Sequence, residues 1–284
     1  MQSRNPIFTR SKEFNGKANS YGNPTYPGNG QAYGGYGSDP AQWGVGTPGQ
    51  VVQPVDEGRI SIDSVVQKTA VTMGVLIVSA ALTWLLSGDI GSSPMAAQRV
   101  YTLALVGAFG GFALAMVNSF KREVSPVLVI AYAALEGLFV GAMSKVFEAQ
   151  WPGIVVGAVI GTFAASAGTL AAYKYFNIKV GNKFRRWVTA MMFGFVGLTM
   201  LDFVLGFFHA SFGFNGFGTL GLISSVVGLG LGVLMLILDF DFVERGVAAG
   251  LPERESWRAA FGLTVTIVWI YIEILRILAI FRGR

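Results

Sequence analysis

The sequence contains no cysteine, a single histidine and few charged residues. Without cysteine there can be no disulfide and no thiol chemistry, and a zinc site would have to depend on His209. Only 13% of the residues are Asp, Glu, Lys or Arg, whereas about a quarter are charged in an average soluble domain. This scarcity of charge argues against a soluble protein.

The signatures of common enzymes are also absent. The sequence has no HExxH, GxSxG or Walker loop and no Cys/His cluster, so we predict neither an enzyme nor a cofactor. An intramembrane aspartyl protease is the enzymatic alternative, because two aspartates on adjacent helices can share a proton. Asp202 and Asp239 are predicted at opposite sides of the membrane, which argues against that alternative.

Long apolar stretches dominate the rest of the chain. Hydrophobic residues make up 52% of the sequence and the mean hydropathy is +0.54. Seven stretches have about the 20 residues that a helix needs to cross a bilayer. We therefore predict an all-α membrane protein whose seven transmembrane helices occupy residues 61–284. The predicted spans are Val65–Leu86, Ala97–Ser119, Val127–Phe147, Ile154–Tyr173, Trp187–Phe208, Thr219–Asp239 and Ala259–Phe281.

Residues 1–60 differ from the remainder in composition. They are rich in Gly, Tyr, Asn, Pro and Gln, as in YGNPTYPGNGQAYGGYG, and show no hydrophobic periodicity. Such a composition cannot bury enough apolar surface to fold, so we predict a disordered cytoplasmic tail. The tail is either passive or a docking site for a membrane-protein partner.

Basic residues are distributed unequally between the connectors. The net charge of +5 would suit nucleic acid, but the bases lie between apolar spans and not on a soluble face. Three connectors on one side carry ten bases, while those on the other side carry only Arg99. The excess marks the cytoplasmic side, which predicts a cytoplasmic N-terminus and an extracytoplasmic C-terminus. The ten are Lys121, Arg122, Lys174, Lys179, Lys183, Arg185, Arg186, Arg245, Arg254 and Arg258.

Four acidic residues lie within the predicted spans. Glu136 is near the middle of the third span, and Asp239 is at the cytoplasmic end of the sixth. Asp202 and Glu273 each lie roughly 6 Å to the outer side of the middle of their helices, at ~1.5 Å per residue. Because charge is costly in a bilayer, such acids usually mark function. Together they could line a path for a cation.

Each acid also has a structural interpretation. Glu273 can pair with Arg276, one turn later on the same helix, and Asp241 is expected to be a solvated partner of Arg245. Asp202 can be a protonated acid bonded to a neighbouring helix, or can reach the outer interface. Asp239 and Glu136 have no basic residue within about one turn, so their structural interpretations are the weakest.

Several motifs, in this order, resemble the Bax inhibitor-1 family, also called the transmembrane Bax inhibitor motif family. They are EGLFVGAMS in the third span, LDFDF at the end of the sixth, and TVTIVWIYIEILRIL in the seventh. The resemblance covers residues 60–284. The opening RNPIFTRSKEFN and the Gly/Tyr-rich tail are similar to the actinobacterial branch, which implies a bacterial inner membrane.

The resemblance implies both a fold and a function. The fold has the last helix at the centre of the other six. The function is that of a pH-sensitive calcium leak channel, in which aspartates on the last two helices share a proton and a basic latch from the second helix controls the cytoplasmic gate. Asp239 falls on the sixth-helix aspartate, and the latch falls on Lys121 or Arg122. Thr266 stands where the second aspartate would be.

We expect other acids to replace the missing aspartate. Glu273 lies seven residues after Thr266 and so on the same helix face, and Glu136 can approach from the third helix. Two close carboxylates cannot both ionise cheaply, so a proton or calcium would be held there. Asp239 and Glu136 are thus candidate ligands of a weak calcium site, with calcium as the transported ion. The alternative is a non-conducting stress regulator that binds a membrane protease or another membrane protein.

Overall fold

The computed structural model describes residues 58–91 and 93–283. The predicted tail lies outside the described residues, apart from 58–60. The described part contains seven α-helices, each long and apolar enough to cross a membrane, and no strand. The predicted all-helical membrane fold is therefore confirmed. The helices are α1 (Ile62–Leu86), α2 (Pro94–Phe120), α3 (Pro126–Gln150), α4 (Ile154–Tyr175), α5 (Asn182–Gly206), α6 (Thr219–Ala248) and α7 (Glu255–Arg282).

Local sequence signals fix where the first three helices begin. Ser61 and Ser64 form a reciprocal capping box at the start of α1, with the Ser61 hydroxyl accepting from the Ser64 amide at 3.0 Å. Ser93 caps α2 with a single hydrogen bond, accepting from the Met95 amide at 3.2 Å. Proline occupies the first turn of α2 and of α3. That position suits proline because its missing N–H has no intrahelical partner there.

The last helix lies at the centre of the bundle. α7 packs against α6, α4, α1 and α3, whereas α2 packs chiefly against α3 and α5 chiefly against α6. In α7, 56% of the membrane-spanning window is buried by protein, which is more than in any other described helix. Leu275 and Ala279 of α7 join a core with Ala133 of α3 and Ala158 of α4. The prediction of a central last helix agrees with this packing.

The connectors form two distinct ends of the bundle. The basic end comprises residues 121–125, 176–181 and 249–254, together with the start of α1. There the Ile60 amide donates to the Leu251 carbonyl at 2.8 Å, and the Glu253 amide donates to the Gly58 carbonyl at 2.6 Å. The chain entering α1 is thereby bonded to the α6–α7 connector. The opposite end holds the α1–α2, α3–α4 and α5–α6 loops.

The sixth helix is longer than its sequence predicts. We expected it to end at Asp239, but it continues to Ala248, which adds ~13 Å at 1.5 Å per residue. The charged residues in this extension do not end the helix, because each acid has a partner. Asp241 pairs with Arg185 and Arg245, and Glu244 accepts a 2.6 Å hydrogen bond from the Tyr173 hydroxyl. Asp239 therefore lies inside a helix and not at its end.

Candidate functional site

Asp239 and Thr266 meet where α6 packs on α7. The Thr266 hydroxyl donates to Asp239 Oδ2 at 2.6 Å, and the other carboxylate oxygen faces Gly262, one turn earlier on α7. Leu236 and Ile270, both fully buried, belong to the apolar cluster beside this pair. In the part of the chain that the structure describes, no basic side chain forms an ion pair with Asp239. The site is a half-buried acid held by a neutral donor.

Glu273 lies two turns further along α7, in a different setting. It is only 4% exposed, and its carboxylate faces Gly228 of α6, where the absence of a side chain leaves room. Arg276 pairs with it at 3.4 Å and also donates to the Phe214 carbonyl at 2.9 Å. The arginine therefore connects this buried acid to the α5–α6 loop at the opposite end.

Glu136 faces α2 and not the central helix. One carboxylate oxygen lies against Gly111 of α2, and Tyr132, one turn earlier on α3, is its polar neighbour. The Tyr132 ring contacts Phe261 of α7 edge to face, with centroids 5.0 Å apart. An aromatic contact thus lies between the environment of Glu136 and α7.

The three acids have separate neighbours. Asp239 contacts α7, Glu273 contacts Gly228 and Arg276, and Glu136 contacts α2. Among residues 58–91 and 93–283, no group of three or more His, Cys, Asp and Glu side chains is placed to hold a metal ion. Asp239 lies at the α6–α7 contact and Glu136 lies against α2, and their predicted role as ligands of a weak calcium site stays a prediction.

Asp241 is buried and not solvated, contrary to our expectation. The residue is 6% exposed. Arg245 lies 2.8 Å from Asp241 Oδ1, as the spacing predicts, and Arg185 of α5 lies 2.9 Å from Oδ2. Arg245 also donates to the Val180 carbonyl in the α4–α5 connector. Two arginines surround the carboxylate and remove it from solvent, and this cluster joins α5 to α6 at the basic end.

Asp202 caps a loop. It is 2% exposed, and its carboxylate accepts from the amides of Phe212, Gly213 and Asn215 at 2.6, 3.1 and 2.9 Å. The sequence left two alternatives for Asp202, a bond to a neighbouring helix or a position at the outer interface. Its partners are backbone amides of the α5–α6 loop, which lies at the end of the bundle opposite the basic end. This arrangement gives Asp202 a structural task at the opposite end of the bundle.

The two latch candidates lie at the basic end, beyond α2. Lys121 ends α2, and both Lys121 and Arg122 are exposed. The Arg122 carbonyl accepts from Arg258 of α7 at 2.7 Å. Asp239 is bonded to Thr266 and to neither base in this arrangement. The α2–α3 connector thus reaches α7 through its backbone, and a latching role for either side chain stays a prediction.

Reasoning from the sequence missed several cross-helix partners. They include Arg185, the second partner of Asp241, and Tyr271, whose hydroxyl lies 2.6 Å from that of Ser144 on α3. Lys68 is another, because it contacts Glu253 at 2.8 Å. Polar residues inside apolar spans are the signal that could have identified Lys68 and Ser144. Spacing along the chain could not show which distant residue each one meets.

Comparison with known proteins is consistent with this architecture. The chain matches the family model described as Bax inhibitor 1 like over residues 5–283, which is wider than the resemblance drawn from the motifs. It is also 29% identical over 157 residues to a protein of Chlamydia muridarum described as uncharacterized. That match covers 54% of this chain and 63% of the relative, so it spans less than two thirds of the relative's length.

Proposed function

We propose that this chain, which belongs to the Bax inhibitor 1-like family, is a cation leak channel of a bacterial inner membrane, with calcium as the leading ion and Asp239 as its gate. The proposal rests on the half-buried Asp239 carboxylate. It accepts a 2.6 Å hydrogen bond from Thr266 and has no basic partner in the described part of the chain. An unpaired acid in a bilayer is costly, so its presence indicates a role that needs it.

The contacts of Asp239 suit a gate. The hydrogen bond joins α6 to the central helix, beside the packed pair Leu236 and Ile270. A cation arriving at the carboxylate would compete with the Thr266 hydroxyl for Oδ2. Breaking this bond would free the acid to bind the ion and would loosen the α6–α7 contact. With one carboxylate and neutral oxygens, the site would bind calcium weakly, as ion passage requires.

Glu136 and Glu273 have secondary roles in this proposal. Glu273 places a second carboxylate two turns after Thr266 on α7, but its ion pair with Arg276 compensates the negative charge. Glu136 lies on the α2 side of α3. Neither shares the neighbours of Asp239, so ions would pass between separate acids and would not occupy one multi-ligand site. We therefore expect removal of the Asp239 charge to affect flux more than removal of either glutamate charge.

The decisive experiment measures calcium entry into proteoliposomes that contain an internal calcium dye. Asp239→Asn should lower the flux roughly tenfold, the equivalent of about 1.4 kcal/mol of lost ion interaction, and should flatten its dependence on pH. Asp63→Asn is the matched control, because Asp63 is an exposed acid in the first turn of α1. Equal flux and an equal pH profile in both variants would contradict the channel.

The alternative, a non-conducting regulator, has one observation in its favour. The residues just before α1 bond to the α6–α7 connector, through Ile60 to Leu251 and Gly58 to Glu253. A partner bound to the N-terminal tail would therefore act on the connector between α6 and α7. If deleting residues 1–57 abolishes a cellular phenotype while flux in proteoliposomes is unchanged, the regulator is the better description.

A further inference from the structure

The connector between α4 and α5, with the helix ends that flank it, is densely basic. Residues 174–187 contain five bases and no acid. One of these bases, Arg185, pairs with Asp241 of α6 at 2.9 Å. The other four are exposed, and none forms an ion pair or a side-chain hydrogen bond with a residue that the structure describes. These four residues form the basic surface: Lys174, Lys179, Lys183 and Arg186.

The chain that carries the basic surface is held in place. The Ile178 amide donates to the Tyr173 carbonyl at 3.1 Å, which turns the chain immediately after α4. Val180 is buried, and its carbonyl accepts from Arg245 of α6. Because α4 and α5 are both long and apolar enough to cross a membrane, this connector is expected at one membrane surface, where lipid headgroups lie.

The neighbouring acids do not neutralise the basic surface. Asp241 is buried and contacts both Arg185 and Arg245. Glu244 accepts a 2.6 Å hydrogen bond from the Tyr173 hydroxyl. These two acids balance the two arginines in formal charge. The four bases of the basic surface therefore remain as an excess of positive charge.

Bases elsewhere at the basic end have acidic partners. Three such pairs occur: Arg254 with Glu123 at 3.3 Å, Arg258 with Glu255 at 3.0 Å, and Lys68 with Glu253 at 2.8 Å. The orientation of a membrane protein requires an excess of bases at one end, but it does not require acids to be absent from one connector. The composition of residues 174–187 therefore favours an anionic ligand in addition to a role in orientation.

Large aromatic side chains flank the same connector. Tyr175 and Phe176, at the end of α4, are 84% and 70% exposed, and Trp187, in the second turn of α5, is 70% exposed. Aromatic rings are enriched where headgroups meet acyl chains. Exposed rings on both sides of a cluster of bases favour a lipid as the ligand over an acidic protein in water.

We propose that the basic surface binds the headgroup of an anionic phospholipid, with Tyr175, Phe176 and Trp187 against the upper part of its acyl chains. The phosphate would accept charge-assisted hydrogen bonds from the ammonium and guanidinium groups. Each base near an anionic lipid surface contributes about a fivefold preference. A zwitterionic lipid carries its own cation close to the phosphate and so gains less. The site includes neither Asp239 nor Thr266, so its test does not depend on ion flux.

The test is native mass spectrometry of the full chain after incubation with equal amounts of phosphatidylglycerol and phosphatidylcholine that have identical acyl chains. The wild-type chain should retain phosphatidylglycerol at least tenfold more than phosphatidylcholine. The double variant Lys179→Gln/Lys183→Gln should lower this ratio at least fivefold. Both lysines are exposed, so the fold should be unaffected. Lys179→Arg/Lys183→Arg keeps the charge and should keep the ratio.

A control at the same end removes the same amount of charge. Lys121→Gln/Arg122→Gln changes two exposed bases beside Glu123 and should alter the ratio less than twofold. The proposal is overturned if this control lowers the ratio as much as the Lys179→Gln/Lys183→Gln variant, because any base would then suffice. Equal retention of the two lipids by the wild-type chain would also overturn it and would favour an acidic protein as the partner.

Discussion

At the residue scale, the bond between Thr266 and Asp239 replaces the acid pair that the resemblance implies. A threonine hydroxyl can donate at the same distance as a protonated acid but cannot ionise near neutral pH. The bond between Asp239 and position 266 in this chain therefore involves one titratable group and not two. A single acid is compatible with the proposed pH response, but such a response would not depend on a proton shared between two acids.

Removing the Thr266 hydroxyl should open the proposed gate. Thr266→Val keeps the shape of the side chain and leaves Asp239 Oδ2 without its 2.6 Å donor. Losing the donor to this half-buried acid should cost about 1–3 kcal/mol, so calcium flux in proteoliposomes should rise roughly tenfold. Thr266→Ser retains a hydroxyl and serves as the control. Flux in Thr266→Val equal to that in Thr266→Ser would argue against a gating role for this bond.

The loop cap at Asp202 should matter for stability and not for conduction. Asp202→Ala leaves three backbone amides of the α5–α6 loop without their acceptor. The melting temperature in detergent should fall, and hydrogen exchange at residues 212–215 should accelerate. Asp202→Asn keeps one acceptor oxygen, so its melting temperature should fall less. Rapid exchange confined to another loop would contradict this assignment.

At the scale of elements, the apolar pattern predicted every described helix, because a bilayer requires about 20 apolar residues in each span. The predicted end of α6 was wrong, because a hydropathy pattern takes the charged residues Asp239, Asp241 and Glu244 as the end of an apolar span. In the fold, Asp241 is paired with Arg185 of α5 and Glu244 accepts a hydrogen bond from Tyr173 of α4. Partners such as Arg185 and Asp241 lie far apart along the chain, so no local spacing predicts them.

Breaking the Asp241 cluster should loosen α5 from α6. Asp241→Asn removes the charge that both Arg185 and Arg245 contact. Breaking a buried pair costs about 3–5 kcal/mol and an exposed one about 0–1. With each arginine side chain 45% exposed, we expect about 2 kcal/mol. Unfolding in a denaturing detergent measures this loss of stability. Asp63→Asn, which changes an exposed acid, should alter the free energy of unfolding little.

At the scale of the whole molecule, an odd number of spans predicts that the two ends of the helical domain lie on opposite faces of the membrane. The excess of bases at one end predicts that this end is cytoplasmic. A fluorescent protein fused to the N-terminus should fluoresce, and alkaline phosphatase fused to the C-terminus should be active, because it requires the extracytoplasmic side. The control is the reverse pair, with alkaline phosphatase fused to the N-terminus and the fluorescent protein fused to the C-terminus. Fluorescence from a C-terminal fusion would contradict the predicted orientation.

The fold as a whole was more predictable than the site. Hydropathy gives the number of spans, and the resemblance gives the central position of α7, but the surroundings of each acid depend on how the helices are rotated about their axes. Glu136 illustrates the difference, because the rotation of α3 about its axis determines that its carboxylate faces Gly111 of α2 and not the central helix. Neither composition nor periodicity carries that information when apolar residues cover all sides of a helix.

The central position of α7 has a consequence for biosynthesis. A ribosome completes this helix after the other six, so the earlier helices must remain in the lipid with their innermost surfaces uncovered until it arrives. During that interval Asp239 lacks Thr266, and Ser144 lacks Tyr271. Ser144 can still donate to the Val140 carbonyl of its own helix, whereas the Asp239 carboxylate would lack its donor from α7. A nascent chain halted before Glu255 would therefore expose this acid, which makes such a chain a natural target for membrane quality control.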